Sequence, residues 1–174
     1  MKKIIYLFFS IIFLFFCSNA FTQSTTTFIK ALDNNGKMLD GGSIEPGHVK
    51  QIEALSYSQG ESSCTSCTPQ ISDYSLMMLL STATITAKQM LLSGQHLQSV
   101  DVVCRRNSDS YVYYKIRMED VVITSVQESG SSESPIISMS ISAARIAWQY
   151  LPDSSKKTQA GWDVQTQQPW SYGF

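Results

Sequence analysis

The chain has 174 residues, with 13 lysines and arginines against 14 aspartates and glutamates and a formal net charge of −1. Hydrophobic residues make up 43% of it, which is enough to bury the core of one domain. Beyond the N-terminus, the only adjacent basic pairs are Arg105-Arg106 and Lys156-Lys157. A phosphate backbone requires a clustered positive surface, so this composition excludes nucleic acid as the main partner.

The N-terminus has the layout of a secretory signal peptide. Two lysines precede an apolar run of 13 residues, Ile4–Phe16, and Ser18-Asn19-Ala20 then supplies a small-x-small cleavage site. A membrane-spanning helix needs about 20 apolar residues, so we expect no stable membrane insertion. Cys17 raises the alternative of a lipoprotein, which the bulky residue before it disfavours. We predict a signal peptide over residues 1–20 and a secreted or periplasmic mature domain.

The first part of the mature chain, residues 21–174, predicts strands separated by polar loops. Thr25–Leu32, His48–Ser58 and Ile71–Leu80 are the strand candidates, the last of them buried on both faces near its end. A long, polar, Gly-rich loop separates the first two, and Gln59–Gln70 is a Ser/Thr-rich surface loop.

One α-helix is predicted, at about residues 84–94. Thr84 or Thr86 can cap its start, and Gly94 can end it in the left-handed conformation that glycine tolerates. Its apolar stripe would consist of Ile85, Met90, Leu91 and Leu92.

Two unusually long strands dominate the second half of the chain. After a strand at Leu97–Arg106, Tyr111–Val126 and Pro135–Tyr150 both alternate in side-chain character. The alternation slips by one residue at Glu119-Asp120 and again at Ala143-Ala144, which is typical of β-bulges. Strands of this length that bend suit the wall of a small closed barrel. We therefore predict a mostly β fold, a compact barrel of long bent antiparallel strands.

The C-terminal segment predicts a short strand near Thr158–Val164 and a tail over Gln165–Phe174. Trp170, Tyr172 and Phe174 alternate in the tail, as at the end of many outer-membrane barrels. Too few membrane-type segments accompany them, so we predict that the tail docks on the barrel or on a neighbouring subunit.

Three cysteines follow residue 20, and an odd number in an exported protein leaves one free or pairing between chains. Cys64 and Cys67 lie in the Ser/Thr-rich loop, without the helix start that lowers the thiol pKa in redox dithiols. Exported proteins lie in oxidising surroundings, so we predict a disulfide, either between Cys64 and Cys67 or with Cys104 as a possible partner. A structural zinc site would need these thiols and His48 or His96 to be gathered by the fold.

Catalytic motifs are missing from the sequence. His48 and His96 are the only histidines, and neither a Gly-x-Ser-x-Gly nor a His-Glu-x-x-His string occurs. Glu119 and Asp120 are adjacent carboxylates, interpreted as solvated acids at a bulge. We expect no enzyme activity, no catalytic residue, no cofactor and no metal.

Several strings, in order and spacing, together carry a family resemblance. They are Phe28–Lys30, Leu79–His96, Tyr114–Val126, Ala144–Tyr150 and Gly161-Trp162-Asp163. In this order they resemble the Hcp family, the tube protein of type VI secretion systems, over nearly the whole mature chain.

The resemblance implies a β-barrel with one helix that assembles into hexameric rings. It also implies that the rings stack into a tube, that small effector proteins occupy the lumen, and that the spike and sheath of the secretion apparatus are further partners. The signal peptide and the Cys-x-x-Cys loop depart from the family pattern. Two hypotheses follow: an exported, non-enzymatic tube-type subunit, or a monomeric secreted binding module of the same fold.

Overall fold

The structure, a computed structural model, describes residues 24–66, 68–130 and 134–174. The predicted signal peptide, residues 1–20, lies outside the described residues. The described part of the chain contains ten strands and one helix. In chain order they are β1 Thr25–Asp33, β2 Ile52–Ser58, β3 Glu61–Ser62, β4 Gln70–Ile71, β5 Tyr74–Leu79, α1 Thr82–Ser93, β6 His96–Arg106, β7 Val112–Ser129, β8 Ile136–Asp153, β9 Lys156–Asp163 and β10 Gln168–Pro169.

Six of these strands close into a barrel, which confirms the predicted fold class. Their order around the wall is β8-β5-β2-β1-β6-β7, and β7 pairs again with β8 to complete the circle. Every pairing is antiparallel. The inward side chains form one apolar core in which Ile29, Leu76, Val102, Ile116 and Ile141 are fully buried. Closure leaves the wall without free edge strands.

The long strands β7 and β8 extend beyond the barrel they close. Each has 18 residues, and they pair with each other along nearly their whole length. On its other edge, β8 pairs with β5 over Ile136–Ile141 and then with β9 from Arg145 to Asp153. The second half of β8 therefore belongs to an extension of the barrel wall, formed by β7, β8, β9 and β10.

Both predicted phase slips are present in the burial of the side chains. In β7 the buried residues change from Ile116 and Met118 to Val121 and Ile123. The slip in β8 lies directly opposite, so the pairing register is the same on both sides of it. Asp120 takes a positive φ of 49° at this point, which aspartate tolerates better than most residues. The register shift in β7 occurs slightly later, between Ile123 and Ser125.

The helix begins two residues earlier than predicted and ends where predicted. Its N-cap is Ser81, whose backbone N–H donates to the Thr84 hydroxyl at 3.0 Å. Gly94 ends it in the left-handed conformation, with φ of 65°. Burial corrects the predicted stripe, because Ile85 is 55% and Leu92 87% exposed. The buried side is formed instead by smaller residues together with one methionine: Ala83, Thr84, Ala87 and Met90.

The predicted exposed loop between β1 and β2 is folded onto the barrel. The His48 ring stacks on buried Phe28, with 4.0 Å between the ring centroids, and the Arg105 guanidinium lies 5.2 Å from the centre of the Phe28 ring. The predicted strand start at His48 is wrong. Lys50 has a φ of 64°, which a strand does not accommodate, so β2 begins at Ile52.

Strand β5 also differs from its prediction. Ile71 belongs to the short hairpin β3–β4, and β5 runs from Tyr74 to Leu79. It is buried on one face only, because Met77 and Leu79 point outward while Leu76 and Met78 are completely buried.

The C-terminal tail docks on this chain's own barrel extension. After β10, the Trp170 N–H donates to the Gly161 carbonyl of β9 at 2.9 Å. The three aromatic rings then form a ladder, with centroid distances of 5.3 Å between Trp170 and Tyr172 and 5.0 Å between Tyr172 and Phe174. This confirms the first of the two predicted docking places.

Gly161→Ala is expected to detach this tail. A Cβ at Gly161 would lie 2.4 Å from the Trp170 carbonyl oxygen and 3.3 Å from that of Ile146, and both are backbone atoms. We expect a loss of about 1–3 kcal/mol in the free energy of unfolding, measured by urea denaturation. Gly130→Ala is the control, because a Cβ there meets nothing within 4 Å. Equal stability of the two variants would contradict the docking.

Candidate assembly surface

The structure places the three predicted cysteines in different settings. Cys64 lies between β3 and β4, and Cys67 lies outside the described residues, so the disulfide between them stays a prediction. Cys104 is a free, buried thiol in β6, with its Sγ 3.6 Å from the hydroxyls of Tyr57 and Thr27. Burial, together with the contact to Cys104, raises the pKa of the Tyr57 phenol well above its usual value.

Among the described residues, the two histidines are not gathered with Cys104 into a metal site. His96 is the first residue of β6, while Cys104 lies near the other end of the same strand. His48 is stacked on Phe28. Across residues 24–66, 68–130 and 134–174, no group of three or more histidine, cysteine, aspartate or glutamate side chains could hold a metal ion.

Both adjacent acids at the slip have partners, and only Asp120 remains solvated as the sequence interpretation expected: its side chain is 51% exposed, whereas that of Glu119 is 22% exposed. The register places Glu119 directly opposite Arg145, and their charged atoms lie 3.3 Å apart. Asp120 meets the His96 ring nitrogen Nδ1 at 2.8 Å. Sequence alone missed these partners because both lie on other strands and are chosen by the pairing register.

A charged ladder continues from Glu119 across the outer face of the barrel extension. Arg117 donates to both carboxylate oxygens of Asp101 on β6, at 2.9 and 2.8 Å. Partial burial is the largest single influence and lowers the pKa of the Arg117 guanidinium, but the hydrogen bonds and charge of Asp101, together with Tyr172 and Glu119, outweigh it, so the pKa is raised. The aromatic tail packs on the ladder. The guanidinium carbon of Arg117 lies 5.5 Å from the centre of the Tyr172 ring, and that of Arg145 lies 5.3 Å from the centre of the Trp170 ring.

Another part of the wall carries apolar side chains that no described residue of this chain covers. We name the outer apolar patch after its four members, Leu55 of β2, Met77 and Leu79 of β5, and Leu80 beside them. They are between 38% and 55% exposed, and in β5 Met77 and Leu79 alternate with the fully buried Leu76 and Met78. Met77 pairs with Ser138 and Leu79 with Ile136, so the patch continues to the edge of β8. Clustered apolar side chains of this kind mark interaction surfaces.

The helix and the loop between β1 and β2 also present large apolar side chains to solvent. Helix α1 exposes Ile85 and Leu92, and the loop between β1 and β2 exposes Ile44 at 90%. That loop is held in place, because Glu45 forms an ion pair with the largely buried Arg105 at 2.8 Å. An apolar residue on a fixed loop is ready to bind without a large cost of ordering.

This arrangement defines a class of protein. It is a small closed antiparallel barrel with one helix between β5 and β6, with charges paired on one face and exposed apolar side chains on another. More specifically, the chain belongs to the Hcp family. The family model described as "Type VI secretion system effector, Hcp" matches residues 28–150.

Solved structures agree with this family at the level of the fold. Hcp1 from Salmonella typhimurium has 18% sequence identity and a TM-score of 0.71, with 83% of this chain and 99% of that chain covered. A type VI secretion system effector from Yersinia pestis has 24% sequence identity and a TM-score of 0.70, with 79% of this chain and 99% of that chain covered. A structure described as a type six secretion system protein has 20% sequence identity and a TM-score of 0.73, with 84% of this chain and 99% of that chain covered.

A search of curated proteins found no match. Among the residues that the structure describes, no helix has the length and hydrophobicity needed to cross a membrane.

The state of the cysteines can be measured by thiol labelling of residues 21–174. We expect no reaction with iodoacetamide in the native protein, because Cys104 is only 2% exposed and Cys64 and Cys67 are predicted to be oxidised. Unfolding without reductant should expose one thiol, and reduction should then release two more, counted by mass spectrometry. Three labelled thiols before reduction would contradict the disulfide.

Proposed function

We propose that this protein is an exported, non-enzymatic subunit of the type VI secretion tube type that self-associates into hexameric rings. The observation that carries the proposal is the outer apolar patch on a barrel of the Hcp family. No residue in the described ranges covers the four side chains, and a second copy of the chain would remove them from water. Each fully buried leucine or methionine contributes about 1.5–3 kcal/mol relative to its exposed state.

A ring requires two different surfaces on every subunit. Head-to-tail contacts close into a ring when the rotation between copies closes, and the two contacting patches are then not the same. The outer apolar patch is one such surface. Ile85 and Leu92 on helix α1 belong to a different element and supply apolar side chains for the second.

Stacking of rings and the carrying of cargo extend the same proposal. The fixed loop that presents Ile44 offers a further apolar contact beyond those within a ring. In a stacked tube, the lumen would hold small effector proteins, and the spike and sheath of the secretion apparatus would be further partners. No cofactor or catalytic residue enters this function.

The N-terminus supports a second candidate function. A sequence with the layout of a signal peptide sends the mature domain, residues 21–174, across a membrane before it assembles. A monomeric secreted binding module of the same fold would fit that route. It would retain the barrel without building a tube.

Light scattering on residues 21–174 over a range of concentrations separates the two candidates. We expect a mass six times that of the monomer, together with dissociation of the ring by Leu55→Lys, which places a charge in the outer apolar patch. Ser108→Lys, in the exposed turn between β6 and β7, is the matched control and should leave the mass unchanged. A wild-type monomer at high concentration would support the binding module instead.

Signal-peptide cleavage predicts a defined mature N-terminus. When the full chain is expressed in a Gram-negative host, the exported fraction should begin at Phe21, because cleavage after Ala20 satisfies the small-x-small rule. Intact-mass measurement of that fraction checks this. An exported protein that keeps residues 1–20 would contradict cleavage, and a lipid-modified Cys17 would support the lipoprotein alternative.

A further inference from the structure

A groove of about 860 Å³ opens at one end of the barrel. Its walls include Tyr114 of β7, Trp148 of β8 and Trp162 of β9, and the short hairpin β3–β4 lies across it. Its volume is within the range of sites that bind small ligands, and barrel mouths are a common place for such sites. The groove uses residues that belong to neither the outer apolar patch nor the charged ladder.

The groove exists because β8 extends beyond the point where its pairing with β5 ends. Beyond Ile141, β5 no longer covers the edge of β8, and β9 takes its place from Arg145 onward. Trp148 lies on the inward face, packed against the core, and Trp162 pairs with the inward-facing Ile146. The inner face of the extension is therefore aromatic and stands open at the mouth.

The hairpin over the groove is fixed at its base. The Gly60 N–H donates to the Ser72 hydroxyl at 2.8 Å, and that hydroxyl donates back to the Gly60 carbonyl at 2.9 Å. Glu61 follows at once and pairs with Ile71. Its carboxylate is thus carried on a tethered strand at the rim of the groove.

The described lining of the groove carries negative charge and no positive charge. Glu61 is the one charged side chain among the described residues that line the groove, and that lining contains no lysine, arginine or histidine. The Trp148 N–H is already satisfied by the Tyr74 hydroxyl at 2.8 Å, so Trp148 offers the groove its ring carbons. Aromatic rings beside an unpaired carboxylate attract cations through the ring quadrupole and through charge.

The surroundings of Glu61 differ from those of other acids in the part of the chain that the structure describes. Glu45 and Glu119 each lie within ion-pair distance of an arginine, and Glu53 and Asp73, which have no ion pair, accept hydrogen bonds from Ser43 and Thr124. Glu61 has neither kind of side-chain partner among the described residues. A ligand with a positive charge would supply the partner that Glu61 lacks among these residues.

We propose that the barrel-mouth groove binds the cationic side chain, arginine or lysine, of a basic peptide segment of a partner protein. The aromatic walls hold the side chain, and Glu61 pairs with its charge. This activity is independent of ring formation, because the groove is complete within one chain.

The test uses the peptide acetyl-Gly-Ser-Arg-Ser-Gly-amide and its citrulline counterpart, which has nearly the same shape and no charge. Binding to residues 21–174 is followed by tryptophan fluorescence and confirmed by calorimetry. We expect the arginine peptide to bind and the citrulline peptide to bind at least about 5-fold more weakly. Raising the salt concentration from about 0.05 M to about 0.5 M should reduce the difference in affinity between the two peptides, because salt screens the charge interaction.

Two variants locate the site. Glu61→Gln should weaken binding of the arginine peptide by about 2- to 5-fold, whereas Glu128→Gln, at the far end of β7 and paired with Lys88, should leave it unchanged. Trp162→Phe keeps an aromatic ring with a weaker quadrupole and should also weaken binding. Equal affinity for both peptides, no binding by either, or equal effects of the two glutamate variants would overturn the proposal. A monomeric but peptide-binding protein would overturn the ring and leave this site standing.

Discussion

The structure depends on the length of one strand pair. β7 and β8 are longer than the barrel that they close, and they remain hydrogen-bonded to each other after β5 has ended. Leaving the backbone groups of a strand edge unpaired costs free energy. The second half of β8 therefore pairs with β9, and β9 pairs with β10. The barrel, its extension and the docked tail therefore follow from a single continuous ladder.

The extension has two faces with opposite chemistry. Its outer face carries Arg117, Glu119 and Arg145, with Asp101 of the neighbouring strand β6 paired to Arg117, and the aromatic tail packs on the two arginines. Partial burial makes each of these charges dependent on its partners, and the tail adds cation–π contacts. Its inner face carries Tyr114, Trp148 and Trp162, which remain open at the barrel mouth. The apolar patch that we assign to ring formation lies elsewhere, on β2 and β5, so assembly and ligand binding do not compete for the same side chains.

Much of the fold could be predicted because its signals are local. Strand alternation in Tyr111–Val126 and Pro135–Tyr150, and the glycine that ends the helix, depend on neighbours along the chain. The phase slips were visible for the same reason. Errors arose where tertiary contacts overrule local preference. Lys50 takes a left-handed conformation in the loop folded onto Phe28, so β2 starts late. Helix α1 buries small residues because the barrel lies close, and Ile85 and Leu92 are left outside.

The sequence by itself determined the class of fold, the long bent strands, the position of the helix end and the family resemblance, since these are encoded in periodicity and in ordered strings. The tertiary structure alone decided which charges meet and which aromatic residues share a face. Glu119 meets Arg145, and Tyr114 and Trp148 both line the groove, because of the pairing register and barrel closure, which join residues far apart in the chain. The outer apolar patch and the groove are properties of that closure, and for this reason no local pattern revealed them.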